Sequence, residues 1–379
     1  SKTLIRAAES LRNARVAARF AGIRGRSALV DWHALIAQKD DLVTGLRQAK
    51  YVNLLPEYNT IAYVEGTARF APDGIQVNRE RLSAGRTIVT TGAAAARPSI
   101  PGIEDVAYLT STTALELAAL PRSMLVIGGG YVGCELAQLF ARAGVRVTLV
   151  CRSRLLPAGE PEISGALAGY LGEEGIDVRA GIAYRQIRRI GAGIALAVGW
   201  NGAPEVLEAE VVLAATGRRP NTGDLGLGDV DVAVTGNGGI RVDQHLRTTN
   251  PQIYAAGDVT GRHQFVYMAA YGAKLAALNA LNGDSHSYDA RAMPMVTFTD
   301  PQVAMVGLTE GAARAAGYEV KTSVLPLDQL PRAIVARDTR GLIKLVADRS
   351  SDRLLGAHLL APEGCDSIQT AALAIKHGM

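Results

Sequence analysis

The sequence is poor in the features that mark several large classes of protein. It contains 3 cysteines in 379 residues, Cys134, Cys151 and Cys365. Three thiols so far apart exclude a disulfide framework and favour a reducing compartment. No apolar run approaches the roughly 20 residues that a membrane helix needs, and no signal-peptide pattern opens the chain. We therefore expect a cytoplasmic protein that does not associate with membranes.

A strong excess of one charge sign is also missing. The sequence has 40 Lys+Arg and 36 Asp+Glu residues, which gives a net charge of +4. This excess is small and scattered, and no module of interleaved basic and aromatic residues accompanies it, so we expect no nucleic-acid partner. The six histidines show no metal-ligand spacing, which argues against a structural zinc site.

The most informative stretch is the motif Gly128-x-Gly130-x-x-Gly133. It follows the apolar run 124–127, opens a helical pattern and is followed by a second apolar run at 145–150. This context predicts a βαβ unit that binds a dinucleotide. Gly128 permits the tight turn, Gly130 lets the backbone approach a pyrophosphate, and Gly133 lets helix and strand pack closely. The alternative is a glycine-rich turn without function.

The residues at the end of the second strand indicate which dinucleotide binds. A site for NAD has an acidic residue there for the ribose 2′-hydroxyl, whereas a site for NADP has an arginine. This sequence has Cys151, Arg152 and Arg154 and no acid. Guanidinium groups match the geometry of a phosphate, so the pattern favours NADPH. Two arginines that only solvate a loop are the alternative.

Further along, Gly257 and Asp258 end a short buried strand that begins at Ile253, directly before a long apolar helix. Ligands of open α/β sheets bind at such strand ends. Thr-Gly pairs at 91–92 and 216–217 follow two apolar strands, which suggests two similar nucleotide-binding folds. We also expect a strand within 61–70, a helix over 112–120, and a separate α+β domain of alternating strands from Met293.

Together these motifs resemble the flavin- and pyridine-nucleotide-dependent disulfide oxidoreductases, the class of glutathione reductase and dihydrolipoamide dehydrogenase. Within that class the mercuric reductases resemble this chain most. The resemblance runs over all 379 residues. It rests on the opening Ser1-Lys2, the glycine motif with Glu135, and the stretches 46–51, 66–70, 216–221, 249–258, 293–304, 327–333 and 338–341.

The resemblance implies a fold of the glutathione-reductase type. It would have two tandem Rossmann-like nucleotide-binding domains, for FAD and NADPH, and a C-terminal α+β dimerisation domain. The implied division is an FAD-binding part at 1–120, an NADPH-binding domain at 121–236, an FAD-binding return segment at 237–290 and a dimerisation domain at 291–379. We expect the chain to be a fragment that lacks an N-terminal redox cysteine pair and a C-terminal segment, and that is inactive alone.

The implied activity is the FAD-dependent reduction of Hg(II) to Hg(0) by NADPH, in a homodimer of the full-length enzyme. A disulfide reductase similar to dihydrolipoamide dehydrogenase or glutathione reductase is one alternative. A non-catalytic nucleotide-binding module that lacks redox thiols is another.

The resemblance also implies roles for individual residues. Lys2 and Glu135 should form an ion pair beside the flavin, with Lys2 near its N5 atom. Tyr131 should cover the flavin until nicotinamide displaces it, and the hydroxyl of Tyr51 should help to pass the Hg(II) substrate between thiolate pairs. The other implied cofactor contacts are Gly66, Thr91, Gly92, Val132, Cys151, Gly217, Arg218 and Asp258.

Overall fold

The computed structural model describes residues 1–72 and 74–379. Its α-helices are α1 (Lys2–Arg15), α2 (Trp32–Arg47), α3 (Tyr131–Arg142), α4 (Pro161–Glu173), α5 (Val266–Asn282), α6 (Glu310–Ala315), α7 (Pro331–Val335) and α8 (Gly364–Lys376). In the described part of the chain, no helix is long and apolar enough to cross a membrane.

The strands are three to eight residues long. They are β1 (Ala68–Ala71), β2 (Gly74–Val77), β3 (Glu80–Leu82), β4 (Thr87–Val89), β5 (Ala93–Ala95), β6 (Ser123–Ile127), β7 (Arg146–Cys151), β8 (Asp177–Ala180), β9 (Ala183–Ile190), β10 (Gly193–Trp200), β11 (Ala203–Ala209), β12 (Val211–Ala214), β13 (Arg218–Pro220), β14 (Ile253–Ala255), β15 (Met295–Thr297), β16 (Gln302–Gly307), β17 (Val320–Pro326), β18 (Leu342–Asp348) and β19 (Leu354–Ala361).

The chain divides into two compact units. The first comprises Ser1–Leu42, Arg97–Thr216 and Arg291–Met379, and the second comprises Val43–Ala96 and Gly217–Ala290. The four-part division expected from the sequence stays a prediction.

The first unit contains a parallel sheet in the order β12-β6-β7-β8. All five residues of β6 are buried, as is usual for a parallel strand covered on both faces. Helix α3 packs on β7 and also against α1. Phe140, fully buried on α3, contacts the ring of Trp32 at a centroid distance of 6.0 Å. This core fixes the glycine-rich turn between β6 and α3.

The same unit contains two antiparallel sheets. Strands β9, β10 and β11 form a meander. The C-terminal sheet has the order β15-β16-β19-β18-β17, and α8 covers β16 and β19. This alternation of strands and helices from residue 293 onward is the α+β arrangement that the sequence predicts.

The described residues of the second unit form three small sheets and the long helix α5, besides shorter helical turns. Strands β1, β2 and β3 are antiparallel, β5 pairs with β13, and β4 pairs in parallel with β14. Helix α5 packs against β4 and β14. The core of this unit is centred on Val89, Tyr254, Leu275 and Phe70.

Two expectations about local structure are wrong. The strand expected within 61–70 begins only at Ala68, because the Asn78 side chain bonds the Thr67 N–H and the Glu65 carbonyl and holds that stretch as a loop. The helix expected over 112–120 shrinks to a short 3₁₀ turn at Thr113–Glu116. Leu117 turns to an extended conformation there and its carbonyl accepts the indole N–H of Trp32.

Candidate functional site

The turn between β6 and α3 has the geometry of a phosphate-binding loop. Gly128 has φ +122°, and a Cβ there would lie 2.2 Å from the carbonyl oxygen of Ala215. A Cβ on Gly133 would lie 1.8 Å from the Gly128 carbonyl oxygen. A Cβ on Gly130 would meet nothing within 4 Å. Gly128 and Gly133 are therefore required by packing, whereas Gly130 faces open space in front of the helix N-terminus.

The loop after β7 is attached to this turn. The backbone N–H of Leu156 donates to the Gly129 carbonyl at 2.7 Å. Arg154 Nη2 donates to the carbonyls of Pro157 at 2.9 Å and Gly159 at 2.7 Å. The guanidinium of Arg154 is thus engaged in holding its own loop closed.

Arg152 differs from Arg154 in this respect. Its side chain is exposed and makes no hydrogen bond or ion pair within residues 1–72 and 74–379. It stands directly after the last residue of β7, Cys151, which is buried. The geometry therefore leaves the whole fork of Arg152 available for a phosphate, whereas Nη2 of Arg154 is already bound to its own loop.

Lys2 and Glu135 are brought together across 133 positions of sequence. Lys2 Nζ lies 2.9 Å from Oε1 and 2.8 Å from Oε2 of Glu135. Glu135 is buried and also accepts the backbone N–H of Phe298 at 2.8 Å, while Lys2 is half exposed. The ring of Phe298 lies below Lys2, with 4.0 Å between Nζ and the ring centroid. The pair is present as expected; its role beside a flavin stays a prediction.

Four of the residues expected in the second unit, Thr91, Gly92, Arg218 and Asp258, take part in two neighbouring sets of polar contacts. Asn221 joins Thr91 and Gly92: its N–H donates to the Gly92 carbonyl and its amide to the Thr91 carbonyl, each at 2.9 Å. Arg218 donates to the Ala93 carbonyl, and its Nε lies 3.5 Å from Asp258 Oδ2.

Several of the other expected residues have less distinctive surroundings. Gly66 lies against the side chain of Asn78. Gly217 has φ +107° and accepts the Ala96 N–H. Tyr131 and Val132 begin α3 and are partly buried. Tyr51 lies on the π-helical turn Gln48–Val52 with 66% of its side chain exposed.

The three cysteines have the character of inert thiols. Cys134 is fully buried and its Sγ lies 3.6 Å from the Gly129 carbonyl oxygen. Burial raises the pKa of Cys134 and also that of Cys151. Burial and the neighbouring Asp366 raise the pKa of Cys365. A thiol reacts as its thiolate, so none of these groups is activated as a nucleophile or soft-metal ligand.

Sequence reasoning missed a buried charge cluster between α4 and the C-terminal sheet. Lys344 is 2% exposed, and its Nζ lies 3.0 Å from Glu160, 2.8 Å from Glu162 and 2.9 Å from Glu310. Buried His358 lies beside it, and burial lowers its pKa. The sequence contains one indication of this cluster, because Lys344 interrupts the apolar run Leu342–Val346 at an inward position of the strand.

Comparison with known proteins gives the family. Residues 1–273 match the pyridine nucleotide-disulphide oxidoreductases, and residues 293–379 match the dimerisation domain of the same proteins. The chain belongs to the pyridine nucleotide-disulphide oxidoreductase family. This confirms the expected fold class of nucleotide-binding domains followed by an α+β dimerisation domain.

Several relatives within this family are mercuric reductases. The chain is 45% identical to the mercuric reductase of Bacillus cereus along its whole length and spans 60% of that protein. It is 46% identical to the mercuric reductase of Streptomyces lividans and spans 81% of it. Among solved structures, the HOCl-induced flavoprotein disulfide reductase RclA from Escherichia coli superposes with a TM-score of 0.84 at 29% identity. The match covers all of this chain and 83% of that one.

Membership of this oxidoreductase family implies FAD and NADPH as cofactors, as expected from the sequence. The residues present fit a dinucleotide at the β6–α3 turn. Gly130 leaves space where a side chain would block a pyrophosphate, and the first N–H groups of α3 face that space without a side-chain cap.

Proposed function

We propose that this chain belongs to an enzyme that reduces Hg(II) to Hg(0) with NADPH. The observation that carries the proposal is the similarity to seven mercuric reductases, at 36% to 46% identity, over the whole chain. The balanced reaction is NADPH + Hg²⁺ → NADP⁺ + H⁺ + Hg⁰.

In this proposal the chain's own residues bind and orient the reactants. The open backbone at Gly130 and the N-terminus of α3 receive the pyrophosphate, and Arg152 receives the 2′-phosphate. Lys2, held by Glu135, presents a cation toward the reacting ring system, where a positive charge stabilises developing negative charge. A bound flavin would supply the two-electron acceptor that side chains cannot provide.

Asp258, Thr91 and Gly92 are proposed to hold the flavin nucleotide, together with Gly66. The other nucleotide contacts proposed are Gly128, Tyr131, Val132, Gly133, Cys151, Arg154, Gly217 and Arg218. Arg154 acts in this scheme through its loop, since its guanidinium is engaged with carbonyl oxygens of that loop.

Hg(II) is a soft cation and requires thiolate ligands. The buried thiols of Cys134 and Cys151 do not meet this need, so the proposal requires soft ligands other than these two groups. Tyr51 is proposed to assist the transfer of the ion, because its exposed hydroxyl is accessible to a substrate.

We further propose that the protein is a cytoplasmic homodimer. The cytoplasmic assignment rests on its three free cysteines, which suit a reducing compartment. Dimerisation through residues 293–379 is supported by the match to a dimerisation domain and by exposed apolar side chains such as Val335 and Leu373. A sedimentation mass of one chain at micromolar concentration would contradict the homodimer.

The decisive experiment measures mercury vapour and NADPH consumption together, with the natural protein that contains this sequence. One NADPH should be oxidised for each mercury atom released, because a hydride carries two electrons. An enzyme that oxidises NADPH with lipoamide or glutathione disulfide but not with Hg(II) would instead be a disulfide reductase. Absence of any NADPH oxidation would favour a non-catalytic module.

A further inference from the structure

One face of α3 is polar although it is buried. Glu135, Gln138 and Arg142 follow one another at helical spacing, and their side chains are 7%, 3% and 5% exposed. Buried polar groups of this kind are costly unless each finds a partner. Each of them has a partner on one short segment, residues 298–300, which follows β15. Glu135 also pairs with Lys2, and Gln138 and Arg142 also bind the carboxylate of Glu174.

Gln138 is bound to this segment through the backbone. Its Oε1 accepts the Asp300 N–H at 2.8 Å, and its Nε2 donates to the Asp300 carbonyl at 2.9 Å. Arg340 also donates to that carbonyl, at 3.3 Å, but the Asp300 N–H has Gln138 as its partner. Arg142 binds the Asp300 carboxylate at 2.9 Å. Gln138 thus fixes the main chain of Asp300 as a neighbouring strand would.

The same segment holds the Lys2–Glu135 pair. Two residues before Asp300, the Phe298 N–H donates to Glu135 Oε1, and the Phe298 ring lies below the Lys2 ammonium. A movement of residues 298–300 would therefore remove one donor from the buried carboxylate and the ring from beneath the cation. The orientation of the pair depends on where this segment lies.

We propose that Gln138 is a positioning residue for the Lys2–Glu135 pair. By clamping the Asp300 backbone, it keeps the Phe298 N–H and ring in place, and these two groups orient the carboxylate and the ammonium. The consequence for electron transfer rests on the proposed function, in which Lys2 stands beside the flavin.

Hydrogen–deuterium exchange of the Phe298 and Asp300 amides in the cofactor-free chain tests the clamp. In Gln138→Met both amides should exchange about tenfold faster or more, because their hydrogen bonds open locally. Gln302→Met is the matched control: Gln302 is 6% exposed, and its side chain accepts the Cys365 N–H at 2.9 Å and donates to Glu363 at 3.4 Å, whereas that of Gln138 binds the backbone of Asp300. Wild-type exchange of Phe298 in Gln138→Met would overturn the inference.

The midpoint potential of the flavin in the natural protein tests the consequence. Lys2→Met should lower the potential, because a cation no longer stabilises the reduced ring. Gln138→Met should lower it less and Gln302→Met should leave it unchanged. A potential that responds to Lys2→Met but not to Gln138→Met would overturn the inference. A potential that does not respond to Lys2→Met would refute the proposed role of Lys2, and the exchange rates alone would then decide on Gln138.

Discussion

The preference for NADPH over NADH should depend on one of two neighbouring arginines. Arg152 is exposed and has no partner in the described chain, whereas Arg154 donates to two carbonyls of its own loop. A hydrogen bond to a charged group contributes about 1.5–3 kcal/mol. Because Arg152 is open to solvent, we take the lower end, so Arg152→Gln should weaken NADPH binding roughly tenfold.

The assay is a titration of each variant with NADPH and with NADH, at low and at high salt. NADH lacks the 2′-phosphate, so its affinity should not change in Arg152→Gln, and the salt dependence of NADPH binding should become shallower. Arg154→Gln is the matched control. It should weaken both nucleotides alike, because it loosens the loop without removing a phosphate contact. Equal losses for both nucleotides in Arg152→Gln would refute this reasoning.

Two further predictions concern buried groups. Lys344→Met should lower the free energy of unfolding at pH 7 by about 3–5 kcal/mol, since it leaves three carboxylates without their shared cation. Lys321→Met, which removes the exposed ion pair between Lys321 and Asp352, should lower the free energy of unfolding by only about 0–1 kcal/mol. The hydrogen bond from Lys344 lowers the pKa of Glu310 below its ordinary value of 4.5. The contribution of this interaction to the free energy of unfolding is therefore complete above pH 4.5 and is lost as the pH falls through the lowered pKa. When the free energy of unfolding is measured with urea at several pH values, it should fall less steeply at acid pH in Lys344→Met than in the wild type. Equal slopes in the two proteins would contradict this prediction. Iodoacetamide should alkylate the partly exposed Cys365 in the folded protein, and the fully buried Cys134 only after unfolding. Modification of Cys134 in the folded protein, detected by mass spectrometry, would contradict this prediction.

The sequence was sufficient for features that are encoded locally. The glycine motif at 128–133 could be assigned because a strand and a helix of the right length flank it. The position of Arg152 directly after β7 could be read from the sequence, and its contact with a 2′-phosphate stays a prediction. The Lys2–Glu135 pair could be expected only through the family resemblance, because 133 positions separate its members and no local pattern joins them.

Other features could not be predicted because they depend on tertiary contacts. Nothing in the sequence around Gln138 shows that its amide would bind the backbone of Asp300. The different roles proposed for Arg152 and Arg154 rest on the hydrogen bonds that close the loop at 154–159, and the pattern of residue types along the chain does not predict those bonds. The strand expected within 61–70 failed for a similar reason, since the side chain of Asn78 supplies the hydrogen bonds that a strand partner would have supplied.

Two glycine variants test directly whether a nicotinamide dinucleotide binds across the β6–α3 turn. An alanine at Gly130 meets no atom within 4 Å and suits its backbone at φ −79°, whereas an alanine at Gly133 collides with the Gly128 carbonyl. Thermal unfolding and NADPH binding should be measured for both. Gly130→Ala should unfold like the wild type yet bind NADPH more weakly, while Gly133→Ala should lose about 1–3 kcal/mol of stability. Wild-type NADPH affinity in a stably folded Gly130→Ala protein would contradict the account.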